Sequence, residues 1–275
     1  VRAKIMKPWN IKIGFFSNAF KHFSLEYCAD ALSSSGYKGI ELWCKGQHVT
    51  PYDAEDRIKY VSSLLKSKNL EIIALSAHLD YITENEGIRK ENIEKFKKVI
   101  ELAKKFNVKK VITASGYLHG KKPSRKMEKR FLQAMQEIGE KAEEEKIMVC
   151  LEAEPEKFLK TPAQVVKYIG ELGEDRFKAV CDLAHAIALN MTPREFMGEL
   201  GELLYHVHLD DAKYNQKPHK HLIPGEGDVN YRDVFDYLDE IKYKEWISVE
   251  LNRSTEYPRE AAEKAMKFLA NLKGV

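Results

Sequence analysis

Four of the chain's nine histidines fall in one stretch, HVHLDDAKYNQKPHKHLIPGEGD, from His206 to Asp228. They form two H-x-H pairs, His206/His208 and His219/His221, bridged by Asp210 and Asp211. Imidazole beside carboxylate suits a metal site, a loop that grips an acidic partner, or a core strand rich in histidine. Candidate partners stand elsewhere at the ends of short apolar runs. Glu152 ends VCLE, Asp182 ends AVCD, His208 ends YHVH and Glu250 ends ISVE. Three carboxylates brought together without a cation would repel one another and resist burial, whereas a divalent ion makes the arrangement favourable. Three oxygen donors and one imidazole suit Mn²⁺, Mg²⁺ or Co²⁺ and tolerate Zn²⁺.

Such a set converges only if the elements that carry it are arranged around one rim. Strand-then-helix alternation can be read eight times along the chain. The strand segments are IKIGFFS, GIELW, EIIALSAH, KKVITAS, IMVCLEAE, KAVCDLA, LYHVHLDD and WISVELN. Most are short and rich in Val, Ile and Leu, as strands covered on both faces should be. Helix starts are marked by Thr50-Pro51, Thr161-Pro162 and Thr192-Pro193, by Ser24 and Ser124, and by Pro258 before the final amphipathic segment; Gly274 follows that last helix. No Gly/Ser-rich or Pro-rich linker interrupts the rhythm, and the first strand lacks the glycine-rich phosphate turn of an open doubly wound sheet. The expected fold is therefore α/β, a single (β/α)₈ TIM barrel spanning residues 1–275.

In such barrels the site lies at the carboxyl ends of the strands. Glu152, Asp182, His208 and Glu250 then fall on the fifth to eighth strands, one on each, around the same rim. Alternation along a strand puts Cys150, Val180, His206 and Ser248 on the same inward face one layer below.

The blocks GIELW, LEAE, CDLAH, HVHLDD, PGEGD and VELN resemble the xylose isomerase-like barrels along the whole chain. That superfamily includes D-tagatose/D-psicose-type ketose 3-epimerases, hydroxypyruvate and inosose isomerases, inosose dehydratases and endonuclease IV. The resemblance implies that Glu152, Asp182, His208 and Glu250 hold one divalent metal ion (Mn, Co, Mg or Zn), with Glu152 and Glu250 also the catalytic proton-transfer groups. It also implies that His185, on the loop above the metal, contacts substrate oxygens. Trp43, Glu41 and His78 match positions that line the substrate pocket. In endonuclease IV the loop before PGEGD helps hold an extra zinc, so His185, His219 and His221 could form a second metal site. The alternative, favoured here, is that one of His219 and His221 touches the sugar and the other is exposed. His206 is expected beneath the site rather than as a ligand, and Phe15, Phe16 and Phe20 as core or as an apolar pocket wall.

Two departures narrow the activity. The fourth strand ends TASGY, without the histidine that endonuclease IV uses, and Phe158 stands where tagatose-type epimerases carry a substrate-contacting glutamate. The expectation is a metal-dependent sugar epimerase or isomerase that moves a proton next to a carbonyl through an enediolate. An inosose-type dehydratase or an apurinic-site nuclease is the alternative. No basic cluster stands out in the sequence as a phosphate clamp, which favours a free sugar or an inositol-like polyol. The net charge of +3 argues against nucleic acid or an anionic membrane as partner, and no apolar run could span a bilayer. The opening VRAKIMKPWN lacks the apolar stretch of a signal peptide. Cys28, Cys44, Cys150 and Cys181 lack C-x-x-C spacing and are expected as free buried thiols in a reducing cytoplasm. The resemblance allows a homo-oligomer.

Overall fold

The computed structural model describes residues 11–251 and 256–272. The basic opening segment, Asn252 at the end of the last expected strand, and Gly274 lie outside them. Eight parallel strands close into a barrel in sequential order. They are β1 (Lys12–Phe16), β2 (Gly39–Trp43), β3 (Glu71–Ser76), β4 (Lys110–Ala114), β5 (Met148–Glu152), β6 (Phe177–Asp182), β7 (Leu204–Leu209) and β8 (Trp246–Val249). Pairing of Gly14 with Ser248 and Phe15 with Val249 closes the barrel between β1 and β8. Every residue of β4 is buried, Lys110 and Thr113 included, as a strand covered on both faces requires.

Around the barrel run α1 (Leu25–Ser34), α2 (Glu55–Ser67), α3 (Glu86–Lys105), α4 (Arg125–Glu145) and α5 (Pro162–Leu172). They are followed by α6 (Leu183–Ala188), α7 (Pro193–Leu200), α8 (Tyr231–Glu240) and α9 (Pro258–Leu272). Thr161 and Thr192 make full capping boxes with Gln164 and Glu195, and Ser24 and Ser124 accept from the third residue of their helices. Pro258 opens α9 as expected. Thr50-Pro51 does not start a helix. The Asp53 carboxylate accepts from the Thr50 backbone N–H at 3.1 Å and from its hydroxyl at 2.6 Å, which folds residues 50–53 into a turn. Helix α2 then begins at Glu55 with Ala54 at its N-cap.

The interior of the barrel contains a small apolar layer, Ala74, Ile112, Cys150 and Val180, with Met148 and Tyr205 packed below. A much larger core lies between strands and helices. All four cysteines are free and buried. No helix among the described residues is long and apolar enough to cross a membrane.

Candidate active site and metal centre

Above that apolar layer the barrel interior turns polar. Ligand-type atoms of Glu152, Asp182, His208 and Glu250 all lie within 4.8 Å of one another, and all four residues are buried. The ring Nδ1 of His208 is 3.2 Å from Glu152 Oε1 and 3.0 Å from Glu250 Oε2. Glu250 stands one residue past β8, where its N–H still donates to the Leu209 carbonyl at 3.0 Å, so the strand geometry carries it to the rim. Its other oxygen accepts from the Asn18 amide at 2.9 Å. Asn18 lies in the 3₁₀ turn Ser17–Phe20 that follows β1. Phe16 stacks on the His208 ring, 5.7 Å between centroids and 13° from parallel, which fixes the plane of the imidazole. Phe15 and Phe20 are core.

Asp182 is both the last residue of β6 and the N-cap of α6. Its Oδ1 accepts from the His185 N–H at 2.7 Å, leaving Oδ2 toward the quartet. The D-x-x-H spacing is therefore a cap, and His185 sits on the first turn of a short helix rather than on a loop. The apolar run LAHAIA after a capping aspartate accounts for that extra helix.

Without an ion this cluster is under electrostatic stress. Burial would raise the pKa values of Glu152 and Glu250, but the His208 ring overrides it and holds both below the usual range. Asp182 is pushed well up by burial and by Asp210. Burial works against a charged His208, yet Glu41, Glu250 and Glu152 push its pKa well above the ordinary value. Glu152 Oε2, Asp182 Oδ2 and Glu250 Oε2 are buried and accept no well-aligned hydrogen bond, although His78 Nε2 and His208 Nδ1 stand 3.2 and 3.0 Å from the two glutamate oxygens. Three orphaned carboxylate oxygens and one imidazole nitrogen converging on one point are the donor set of a divalent ion, and an ion there would satisfy all of them.

Glu41 does not line the substrate pocket, contrary to the sequence expectation. It is wholly buried beneath His208, with Oε2 3.2 Å from His208 Nε2 and 3.1 Å from His206 Nε2, and Oε1 accepting from Ser76. His206 also meets Ser248 Oγ at 3.0 Å, one layer down as expected. The two imidazoles hold the Glu41 carboxyl well below its usual range in spite of burial. Glu41 thus orients a candidate ligand instead of touching substrate.

A cavity of about 410 Å³ opens over the quartet. Trp43, His78, His185 and His221 line it. His78, two residues past β3, has Nε2 3.2 Å from Glu152 Oε2, and burial lowers its pKa to about 4. Trp43 packs edge-on against His78 and Phe16. His219 is buried rather than exposed, and its ring lies 5.3 Å from that of His185 and 5.5 Å from that of His221. Nitrogens of these three histidines also fall within 4.8 Å of one another. His221 Nδ1 makes a short contact with Asp210, which burial alone would disfavour, and that pairing raises the imidazole pKa to about 10.

Asp210 is a residue that sequence reasoning passed over as a bridge between histidines. Its Oδ1 accepts from Ala184 N at 2.9 Å, tying the β7 end to α6. Asn18, Lys21, Lys45, Tyr117, Glu154 and Lys157 also line the cavity and were not foreseen. Phe158 is absent from the lining and packs on Phe131 and Tyr168. The preceding Lys157 faces the cavity instead.

The family model for the xylose isomerase-like TIM barrel matches residues 29–272. An uncharacterised protein of Methanocaldococcus jannaschii is 28% identical, over 88% of this chain and 84% of its own length. Fructoselysine 3-epimerase of Shigella flexneri is 25% identical, over 94% and 98%. The crystal structure of a D-tagatose 3-epimerase-like protein superposes with a TM-score of 0.77 at 25% identity, covering 96% of this chain and all of the other. Quartet, barrel and matches agree: the chain belongs to the xylose isomerase-like TIM barrel family.

Proposed function

We propose that the chain is a metal-dependent sugar epimerase or isomerase that transfers a proton at a carbon next to a carbonyl. Glu152, Asp182, His208 and Glu250 would hold one divalent ion, which when bound supplies Lewis-acid polarisation of a substrate carbonyl and an adjacent hydroxyl. The observation that carries this reading is the placement of Glu152 and Glu250. They come from β5 and β8, flank His208, line the same cavity, and each keeps one buried oxygen without a hydrogen-bond partner. One carboxylate can take a proton from carbon while the other returns one to the opposite face, which gives epimerisation. If a single carboxylate returns the proton to the neighbouring carbon, the outcome is aldose–ketose isomerisation.

Asn18 fixes Glu250 through one oxygen and leaves the other for the substrate. His78, neutral near pH 7, can donate a hydrogen bond to a sugar oxygen, as can His185. The relatives named for 3-epimerisation support a sugar-sized substrate with a carbonyl beside the inverted carbon. The nuclease alternative is disfavoured at β4. That strand ends at Ala114, and the following Ser115 accepts from Leu159 N at 2.8 Å in place of a ligand. The His185/His219/His221 group remains the place for a second ion.

The test is metal-loaded protein with a panel of ketoses in D₂O, read by NMR. Solvent deuterium should enter at the inverted carbon. Glu250→Gln keeps the shape and one oxygen ligand but removes a base, so turnover should fall by about 100-fold or more while metal is retained. Normal turnover by that variant with metal bound would exclude Glu250 as a base. Loss of metal from Asp182→Ala, with about one ion per native chain, checks the quartet.

A further inference from the structure

Lysines far apart in the sequence meet in the cavity over the quartet. Lys21 follows the 3₁₀ turn after β1, Lys45 stands two residues past β2, and Lys157 lies between β5 and α5. Lys157 is almost wholly buried. Its Nζ is 2.5 Å from Glu154 Oε2 and 4.7 Å from the centroid of the Tyr117 ring. The backbone holds it there: Tyr117 and Lys157 form an antiparallel bridge, and Phe158 N donates to the Gly116 carbonyl at 3.0 Å.

Burying an ammonium is costly unless it has partners, and among the described residues Glu154 is the carboxylate that Lys157 pairs with, which occupies one of its three donors. Elsewhere this chain pairs surface lysines with glutamates, as at Lys98–Glu101, Lys105–Glu55, Lys167–Glu128 and Lys264–Glu226. Lys21 and Lys45, both exposed at the cavity, have no carboxylate partner among the described residues. A cleft whose mouth carries unpaired charge of one sign concentrates ligands of the other.

We infer that the cavity takes a sugar acid or sugar phosphate, whose anionic oxygen group is held by Lys157, Lys21 and Lys45 while its carbonyl end meets the quartet. This rests on the sugar reading above and replaces the uncharged substrate expected from the sequence. Lys157 supplies the fixed contact, with its ammonium already oriented by Glu154 and Tyr117. Lys21 and Lys45 are long, solvated side chains that can close over the anion. Tyr117, 46% exposed despite lining the cavity, offers a ring face to the carbon skeleton between the two ends.

The experiment is calorimetric titration of the metal-loaded protein with D-fructose, D-fructose 6-phosphate and 2-keto-D-gluconate at fixed ionic strength. At least one acidic ketose should bind about tenfold or more tightly than D-fructose, since hydrogen bonds to charged groups are the stronger class. Whichever acid binds better distinguishes phosphate from carboxylate. The preference should shrink as salt is raised. It should also collapse in Lys21→Ser/Lys45→Ser, whose exposed positions leave folding intact, and in Lys157→Met if that variant folds. Equal affinity for all three ketoses, no measurable binding of either acid, or lysine variants that keep the acid preference would overturn the inference. Binding is read without turnover, so failure of the proton-transfer chemistry shows separately, as absent deuterium exchange.

Discussion

Replacing Glu41 by Gln tests the deepest part of the site. The carboxylate receives four contacts from three residues: Ser76 and His208 on Oε1, and His206 and His208 on Oε2. Glutamine fills the same volume. Its NH₂ group can face Ser76, whose hydroxyl is able to accept, while its carbonyl oxygen keeps one histidine contact. The fold should survive, so what is lost is the charge. A full charge pair 3.2 Å apart, the separation of Glu41 Oε2 from His208 Nε2, is worth about 5 kcal/mol at an effective dielectric near 20.

That value is a ceiling for metal binding. Glu41 also stabilises the proton that an ion must displace from His208, so only the difference between its attraction for a dication and for a proton reaches the measured affinity. Loss of the carboxylate partner of a metal-ligating histidine typically costs about 10- to 100-fold, or about 1.4 to 2.8 kcal/mol. The expected result for Glu41→Gln is therefore metal affinity weaker by about that factor, measured by competition with a chelating indicator. A second signature concerns protons. In the native protein the surrounding carboxylates push the His208 pKa well up, so ion binding releases a proton across the neutral range. Glu41→Gln should move the end of that release to lower pH, seen as a change in buffer-dependent binding heat. Native-like affinity together with native-like proton release would refute the reasoning and reduce Glu41 to packing.

Two further changes probe the scaffold. Gly116 has φ +107°, and a Cβ there would lie 2.3 Å from Asp80 Oδ1, an atom that already accepts from Ile82 N and Thr83 N. Gly116→Ala should cost about 1–3 kcal/mol in backbone strain, plus the displacement of Asp80. It should lower the calorimetric melting temperature and shift Tyr117; an unchanged melting temperature would count against the tight approach. His48 is buried with Nδ1 3.0 Å from Ser17 Oγ, and burial lowers its pKa from 6.5. Because the folded state resists protonation there, stability is fully present above pH 6.5 and is lost as pH falls toward the depressed folded value. Urea unfolding of His48→Gln should show a shallower loss between pH 7 and pH 5 than the native chain, and equal slopes would exclude His48 as a contributor.

The barrel was legible because its strands are short, apolar and regularly spaced, a pattern that few other folds satisfy. The quartet was legible for a related reason: the rule that sites lie at carboxyl ends of strands turns a list of acidic residues into one rim. Depth was not. Glu41 and Trp43 are both at the inward end of β2 in the sequence, but alternation leaves Glu41 one layer below, where it meets His206 and His208 instead of solvent. Local pattern also failed where a side chain outcompeted it. Asp53 captured the Thr50 cap for a turn, and Asp182 spent one oxygen on starting α6.

Lys21, Lys45 and Lys157 lie on three separate loops, and nothing in their local sequences joins them. Only closure of the barrel brings those loops over one cavity, so a reader of the chain sees no basic cluster. The same closure explains why the polar interior is tolerated. Ser248, His206, Glu41 and His208 form one hydrogen-bonded chain that climbs the barrel axis and ends at three carboxylates with orphaned oxygens. Below the rim only His206 Nδ1 in this chain of groups is left without a partner, whereas three carboxylate oxygens are left so at the top. A cation there would complete the chain, and removing Glu41 would break it in the middle. The buried polar column and the quartet above it are therefore parts of one electrostatic unit, and a substitution at its base should be read out at its top.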